Sequence, residues 1–239
     1  MRIAVFSDLH ANLPAFEAFL KDLDSKNPDA VYCLGDLVGY NVWPNEVIEE
    51  IRRRGITTIA GNHDLKVKTL SDSSGKNHAY HIIDEGARSY LKTLPAHIRL
   101  EYQFNESLLN MLLVHGSPRS VDEYVLEDLQ EDYVLDLLKQ ANADILFCGH
   151  SHKPYHREIK VGESENLSLR HIINTGSVGK PKDGDPRGCY VLLTLDDKFD
   201  KANIQVDFIR FDYDVERAAK AVEDSPLPDQ FADQLRKAY

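Results

Sequence analysis

The chain lacks a long apolar run. In 239 residues no stretch approaches the roughly 18–20 needed to cross a bilayer, so no membrane span is predicted. The apolar segment ahead of Asp8 is too short for a signal-peptide core and reads as a first strand. Cysteine is scarce: Cys33, Cys148 and Cys189 cannot all pair within the chain, which argues against a disulfide scaffold and for a reducing, cytoplasmic setting. Basic charge is in deficit, with 28 Lys and Arg against 39 Asp and Glu and a formal net charge of −11. That balance offers no broad basic face to nucleic acid or anionic lipid, so an anionic ligand must be drawn by something local. What is present is a globular composition, 42% hydrophobic and 28% charged, which excludes collagen-like and disordered classes. The length suits one domain over residues 1–239, with enough apolar side chains for a core.

Hydrophobic spacing predicts the order of elements. Residues 2–6 read as a buried strand, and apolar residues at Leu13, Phe16, Phe19, Leu20 and Leu23 repeat with helical period. Strand Ala30–Leu34, a helix opened by Pro44 and ended by Gly55, and strand Ile56–Ala60 complete a βαβαβ start with parallel strands. A polar loop at 70–77 precedes a helix from Ala79 to Leu94. A hairpin of Ile98–Phe104 and Leu108–Val114 turns at 105–107, and one long helix covers Val121 to Gln140. Further strands are expected at Asp144–Cys148, Tyr155–Val161, Leu169–Ile173, Tyr190–Leu195 and Ile204–Phe211, with turns at 162–166 and 196–200. A last helix starts near Val215, and the tail with Pro226 and Pro228 is expected to be peripheral.

The residues just past the strands are chemically specific. IAVF runs into Ser7-Asp8-Leu9-His10, VYCL into Gly35-Asp36, and TTIA into Gly61-Asn62-His63-Asp64. LLV runs into His115, and ILFC into Gly149-His150-Ser151-His152. In an open α/β sheet, function collects outside the carboxyl ends of the strands. Asp and His do favour strand ends and helix caps. Five such junctions in order argue for more, because so many polar groups on one edge need a common partner. Asp8, His10, Asp36, Asn62, His115, His150 and His152 suffice to ligate two metal ions sharing one carboxylate. Nitrogen and oxygen donors without sulfur suit Mn²⁺, Fe, Zn²⁺, Co²⁺ or Ni²⁺.

The five blocks D-x-H, G-D, G-N-H-[DE], a lone His and G-H-x-H stand here in order. With them the chain resembles the calcineurin-like metallophosphoesterase family, and its G-D-L-V-G-Y form is more similar to small microbial phosphodiesterases and dinucleoside polyphosphate hydrolases. The resemblance implies an α/β fold, an αββα sandwich of two mixed β-sheets flanked by helices. It assigns one metal to Asp8, His10, Asp36 and His152 and the other to Asp36, Asn62, His115 and His150, Asp36 bridging. Manganese is the favoured metal. It further implies attack by a metal-bridged hydroxide, ions about 3.5–4 Å apart lowering the pKa of water and clamping phosphoryl oxygens. His63 is then the catalytic residue that protonates the leaving oxygen.

One departure from the family matters. The protein Ser/Thr phosphatase branch continues its G-D block with an Asp that orients the acid and an Arg that holds phosphate, whereas Gly39 and Tyr40 stand there in this chain. Asp64 is a candidate to orient His63 instead. The turn-rich segment 174–188 carries a basic island of Lys180, Lys182 and Arg187; Arg187, whose planar fork suits phosphate, is expected to bind substrate, against the plainer reading of a solvated connection. His78 and His81 at a helix start are read as a substrate-facing or exposed face, and His97, His156 and His171 as ordinary structural histidines. Tyr40 and Trp43 are candidates either to stack a base or to pack the core, and Asn12 either to touch phosphate or, the preferred reading, to cap the first helix.

The expected activity is hydrolysis of phosphate esters or anhydrides, by a phosphodiesterase or a nucleotide-type pyrophosphohydrolase. Diadenosine polyphosphates are among the candidate substrates, and the expected partner is a small phosphorylated molecule or nucleotide. The alternative is a non-catalytic scaffold that keeps the fold. A nuclease is disfavoured by the net charge of −11.

Overall fold

Strand β1 (Arg2–Phe6) sets up two layers at once, because Ile3 and Val5 are buried on one face and Ala4 and Phe6 on the other. A computed structural model describes residues 1–67, 77–104, 107–162, 168–195 and 204–239. In it β1 pairs in parallel with β2 (Ala30–Cys33), which pairs with the two-residue β3 (Thr57–Thr58). On the other side β1 is antiparallel to β9 (Gly188–Thr194), and β9 to β10 (Gln205–Phe211). The second sheet runs in the order β4 (His97–Phe104), β5 (Ser107–Val114), β6 (Ile145–Cys148), β8 (Ser168–Asn174), β7 (Tyr155–Val161). Its centre, β5–β6–β8, is parallel and its two edge pairs are antiparallel.

Ile3, Val5, Leu109, Met111, Leu113, Ile145, Phe147, Ile173, Val191 and Leu193 fill the space between the sheets. Helix α1 (Leu13–Lys26) packs Phe16, Phe19 and Leu20 on the outer face of the first sheet, where the Phe6 and Phe19 rings lie 4.4 Å apart. Each such buried side chain contributes roughly 1.5–3 kcal/mol. On the outer face of the second sheet α6 (Glu131–Ala141) packs Val134, Leu137 and Leu138 against Leu146 and Ile172. The order helix, sheet, sheet, helix is the αββα sandwich expected, with both sheets mixed. Among the described residues no helix is long and apolar enough to cross a membrane.

Four element expectations need correction. The helix from Ala79 to Leu94 is two, α4 (His78–His81) and α5 (Glu85–Thr93), because the Asp84 carboxylate accepts from Ala87 N at 2.7 Å and starts a new helix. The helix from Val121 begins only at Glu131; upstream, Ser117 Oγ accepts from the amides of Arg119 and Ser120 and holds the chain in turns. Strand 56–60 shrinks to Thr57–Thr58. The tail is not peripheral, for α7 (Val215–Glu223) and α8 (Gln230–Lys237) bury Ala218, Ala219, Val222, Ala232 and Leu235 together. The remaining helices are α2 (Pro44–Arg54) and α3 (Asn62–Lys66). The loop expected at 70–77, apart from Asn77, and most of the turns expected at 105–107, 162–166 and 196–200 lie outside the described residues.

Candidate metal centre

All seven predicted ligands meet at the carboxyl ends of the parallel strands. Asp8 and His10 leave β1, Asp36 lies just past β2, Asn62 opens α3, His115 ends β5, and His150 and His152 lie just past β6. Ligand atoms of Asp8, His10 and His152 lie within 4.8 Å of one another, as do those of Asp36, His115 and His150. His10 Nε2 is 3.2 Å from His152 Nε2 and 3.6 Å from Asp8 Oδ1. His115 Nε2 is 3.2 Å from Asn62 Oδ1. Asp36 Oδ2 faces both halves, 3.6 Å from His10 Nε2 and 3.4 Å from His115 Nε2, while Oδ1 accepts from His63 N at 2.8 Å.

The backbone is forced into this arrangement. Asp8, His10, Asp36, His150 and His152 all have φ between 48° and 63°, a left-handed conformation that costs a non-glycine residue about 1 kcal/mol or more. Gly61 lets the turn close, since a Cβ there would lie 2.1 Å from Asp36 Oδ1. Asp64 pins the same turn: its carboxylate, 1% exposed, accepts from the amides of Asp36, Leu37 and Gly61 at 2.8–2.9 Å. Burial and the neighbouring Asp36 push its pKa up to about 7.

Several features fit this donor set to divalent cations. Each imidazole spends one nitrogen on a backbone carbonyl: His10 Nδ1 on Val38 O at 3.0 Å, His115 Nδ1 on Leu34 O at 2.9 Å, His152 Nδ1 on Lys180 O, and His150 Nε2 on Asp122 O at 3.2 Å. That outer hydrogen bond fixes the tautomer a metal-binding histidine needs and leaves the other nitrogen for the ion. Among the described residues Asp8 Oδ1 and Asp36 Oδ2 are buried without a hydrogen-bond partner, a costly state for a carboxylate that a cation would relieve. Burial alone would raise both acids, but His152 and His10 hold Asp8 well below the ordinary range, and His115 and His63 do the same for Asp36. Burial would lower His115, yet facing Asp36 carries it up to about 9. Those imidazolium–carboxylate attractions are the interactions that cations would replace.

His63 stands beside the cluster, its ring centroid 5.0 Å from that of His10. Its orienting group is not Asp64, which is committed to the Asp36 turn. The Tyr80 hydroxyl from α4 shares a hydrogen bond with His63 Nδ1. Gly39 makes room for it, because a Cβ there would lie 2.6 Å from His63 Nδ1 and 3.1 Å from the Tyr80 oxygen. Burial holds His63 down to about 3 and pushes the Tyr80 phenol up, so at neutral pH the ring is uncharged and the phenol keeps its proton.

Around the rim, Tyr124 stacks on His150 at 4.1 Å, and the Tyr40 ring lies 4.8 Å from His10, 4.9 Å from His63 and 5.0 Å from Phe231 of α8. Trp43 packs with α7 and α8 under the Arg217 guanidinium, not over the cluster. Asn12 caps α1, accepting from Ala15 N at 3.2 Å, and its amide also donates to Gly179 O at 2.7 Å. Arg187 is not brought to the cluster: its guanidinium is exposed and paired with Asp185 at 2.7 Å. The neighbouring lysines are closer, the Lys180 carbonyl holding His152 and the Lys182 amide donating to His152 O at 3.3 Å. Cys33, Cys148 and Cys189 are free and buried. Tyr80 is not legible in the sequence, although His78 and His81 flank it; nothing in its spacing distinguishes a core phenol from one that grips a histidine.

Comparisons with known proteins come to the same place. The sequence matches the calcineurin-like phosphoesterase superfamily domain over residues 1–198. It is 31% identical over 252 residues to the uncharacterised protein MJ0912 of Methanocaldococcus jannaschii, with 98% of this chain and 96% of that one covered. The crystal structure of a metallophosphoesterase from Sphaerobacter thermophilus superposes with a TM-score of 0.78 at 30% identity, both chains fully covered at 100%. Hypothetical protein PH1004 from Pyrococcus horikoshii OT3, 20% identical, shares the fold with a TM-score of 0.76 over 100% of this chain and 98% of that one.

Proposed function

Because this chain belongs to the calcineurin-like phosphoesterase superfamily, we propose that its strand-end cluster is a two-metal centre hydrolysing phosphate esters or anhydrides of small molecules, nucleotides included. Asp8, His10, Asp36 and His152 would hold one ion and Asp36, Asn62, His115 and His150 the other, manganese being the first choice. The observation that carries this reading is Asp36 Oδ2, buried, without a hydrogen-bond partner among the described residues and within 3.6 Å of imidazole nitrogens on both sides. Divalent ions in such a site lower the pKa of bound water and polarise a phosphoryl group.

The protein's own residues do the rest. The backbone carbonyls behind His10, His115, His150 and His152 hold those rings in place before substrate arrives, so little reorganisation accompanies reaction. His63 is the proton donor to the leaving oxygen. A phosphate dianion seated beside the ring favours its charged form and lifts its pKa from the low value that burial imposes. A tyrosine hydroxyl accepts as well as donates, so Tyr80 keeps hold of Nδ1 in either protonation state.

The test is turnover of bis-p-nitrophenyl phosphate and p-nitrophenyl phosphate by purified protein loaded with Mn²⁺, beside metal analysis. Hydrolysis that stops on chelation and returns with metal is expected. Two bound ions with no turnover on any phosphate monoester, diester or anhydride would leave the scaffold reading instead.

A further inference from the structure

The segment after β8 carries two lysines whose surroundings the metal centre does not explain. Lys180 is only 2% exposed, yet among the described residues its ammonium makes no hydrogen bond or ion pair; its neighbour is the face of Tyr40, with Nζ 4.6 Å from the ring centroid. That ring is the one wedged against His10 and His63, so the ammonium lies at the edge of the centre. Lys182 is half-buried and likewise makes no ion pair among the described residues. Both backbones are fastened to His152, the Lys180 carbonyl accepting from its Nδ1 and the Lys182 amide donating to its carbonyl at 3.3 Å.

Burying one ammonium without a counter-ion is costly, and bringing a second beside it is more so. Structural lysines avoid this by snorkelling to water or pairing with a carboxylate. Here the loop does the reverse and aims unpaired positive charge at a centre that would take a phosphoryl group. One phosphate would already be served by the ions that Asp8, Asp36 and their neighbours would hold, with His63, so the lysines are surplus to a substrate with a single anionic group.

We propose that Lys180 and Lys182 form a subsite for a second phosphate, making the substrate class a phosphoanhydride whose terminal phosphoryl group sits at the Asp8–Asp36 centre. The proposal rests on the phosphoesterase reading above. Water adds its hydroxyl to the terminal phosphorus. The bridging P–O bond breaks with its electron pair on the bridging oxygen, and water's second proton reaches that oxygen directly or by way of His63. The departing phosphate is left on the two lysines, which stabilise the charge that develops there. Nucleoside diphosphates and inorganic tripolyphosphate share this chemistry.

The experiment compares Mn²⁺-loaded wild type with Lys180→Met, Lys182→Met and the double variant on tripolyphosphate, ADP and bis-p-nitrophenyl phosphate. Loss of a charge-assisted contact predicts that kcat/KM on the anhydrides falls about 10–100-fold while the diester changes by less than about threefold, and Lys180→Arg restores much of the loss. Calorimetry supplies a second readout: wild type binds methylenediphosphonate more tightly than methylphosphonate, and the double variant loses that preference. Equal losses on every substrate, or a preference untouched by the lysine changes, would overturn the subsite. If wild type hydrolyses nothing yet binds methylenediphosphonate through these lysines, the subsite stands and the hydrolytic reading falls.

Discussion

The strand-end cluster and the group formed by His156, Glu158 and His171 contain the same kinds of side chain, each with ligand atoms within 4.8 Å of one another. They are made in different ways. The second group is a product of strand register: β7 and β8 place Glu158 opposite His171, with His156 two residues along on the same face. Its imidazoles bond one another, His156 Nε2 to His171 Nδ1 at 2.9 Å, and Glu158 stands half exposed beside them, its oxygen 4.0 Å and 3.9 Å from those nitrogens. In the strand-end cluster the donors come from separate loops, five of them in left-handed conformations, and each imidazole is tied to a backbone carbonyl while one oxygen each of Asp8 and Asp36 stays buried without a hydrogen-bond partner among the described residues. Proximity of ligand types is therefore weak information. Strain, fixed tautomers and unsatisfied acids are what separate a built site from neighbouring strands.

The sharpest way to break that comparison is at the carboxylates. Asp36→Asn removes the charge facing both halves and is expected to cut kcat/KM by about 10³-fold or more, the equivalent of several kcal/mol. Metal stoichiometry should fall with it. Glu158→Gln should change neither, and a loss of bound metal in Glu158→Gln would make the two clusters equivalent after all. Next in size, His63→Ala should lower kcat by about 10²-fold, the low end of a general-acid contribution. It should keep its metals and suffer most with poor leaving groups; equal loss across leaving groups would argue against proton donation.

Tyr80→Phe should cost about 3–10-fold in kcat at unchanged KM, one hydrogen bond's worth of positioning. A change in KM alone would place Tyr80 in substrate binding instead. The smallest effect separates the clusters by pH. Burial lowers the His156 pKa from its ordinary 6.5, so the unfolded chain binds this proton more readily than the folded one. Stability from this group is complete above pH ~6.5 and is lost as pH falls through the folded value. His156→Ala should flatten that acid-side decline in melting temperature and leave turnover unchanged; a steeper decline in the variant would contradict it.

Much of the centre was readable because it is written at strand ends. A short apolar run that leads at once into Asp, Asn or His is a local signal, and all seven predicted ligands assemble. The misread elements share a different cause. Asp84 interrupts a helical pattern by capping, Ser117 holds residues after β5 in turns by side-chain bonds to the backbone, and α8 is stable only because α7 covers it. In each case a specific hydrogen bond or a distant packing partner overrides hydrophobic spacing. The basic island shows the same limit. Lys180, Lys182 and Arg187 look alike as charges in a loop, but Asp185 takes Arg187 to the surface while His152 anchors the lysines at the centre.

By itself, then, the sequence determined which strands exist, that their carboxyl ends carry metal-binding side chains, and that an acidic chain would need a local source of positive charge. Only the tertiary structure decided that Tyr80 grips His63, that Asp64 serves the Asp36 turn, and that Lys180 is buried against Tyr40. The first set comes from residues adjacent in the chain, where spacing and strand period act over a few residues. The second depends on contacts such as Tyr80 with His63 and Lys180 with Tyr40, whose partners come from different elements and meet only when the sheets and helices have packed.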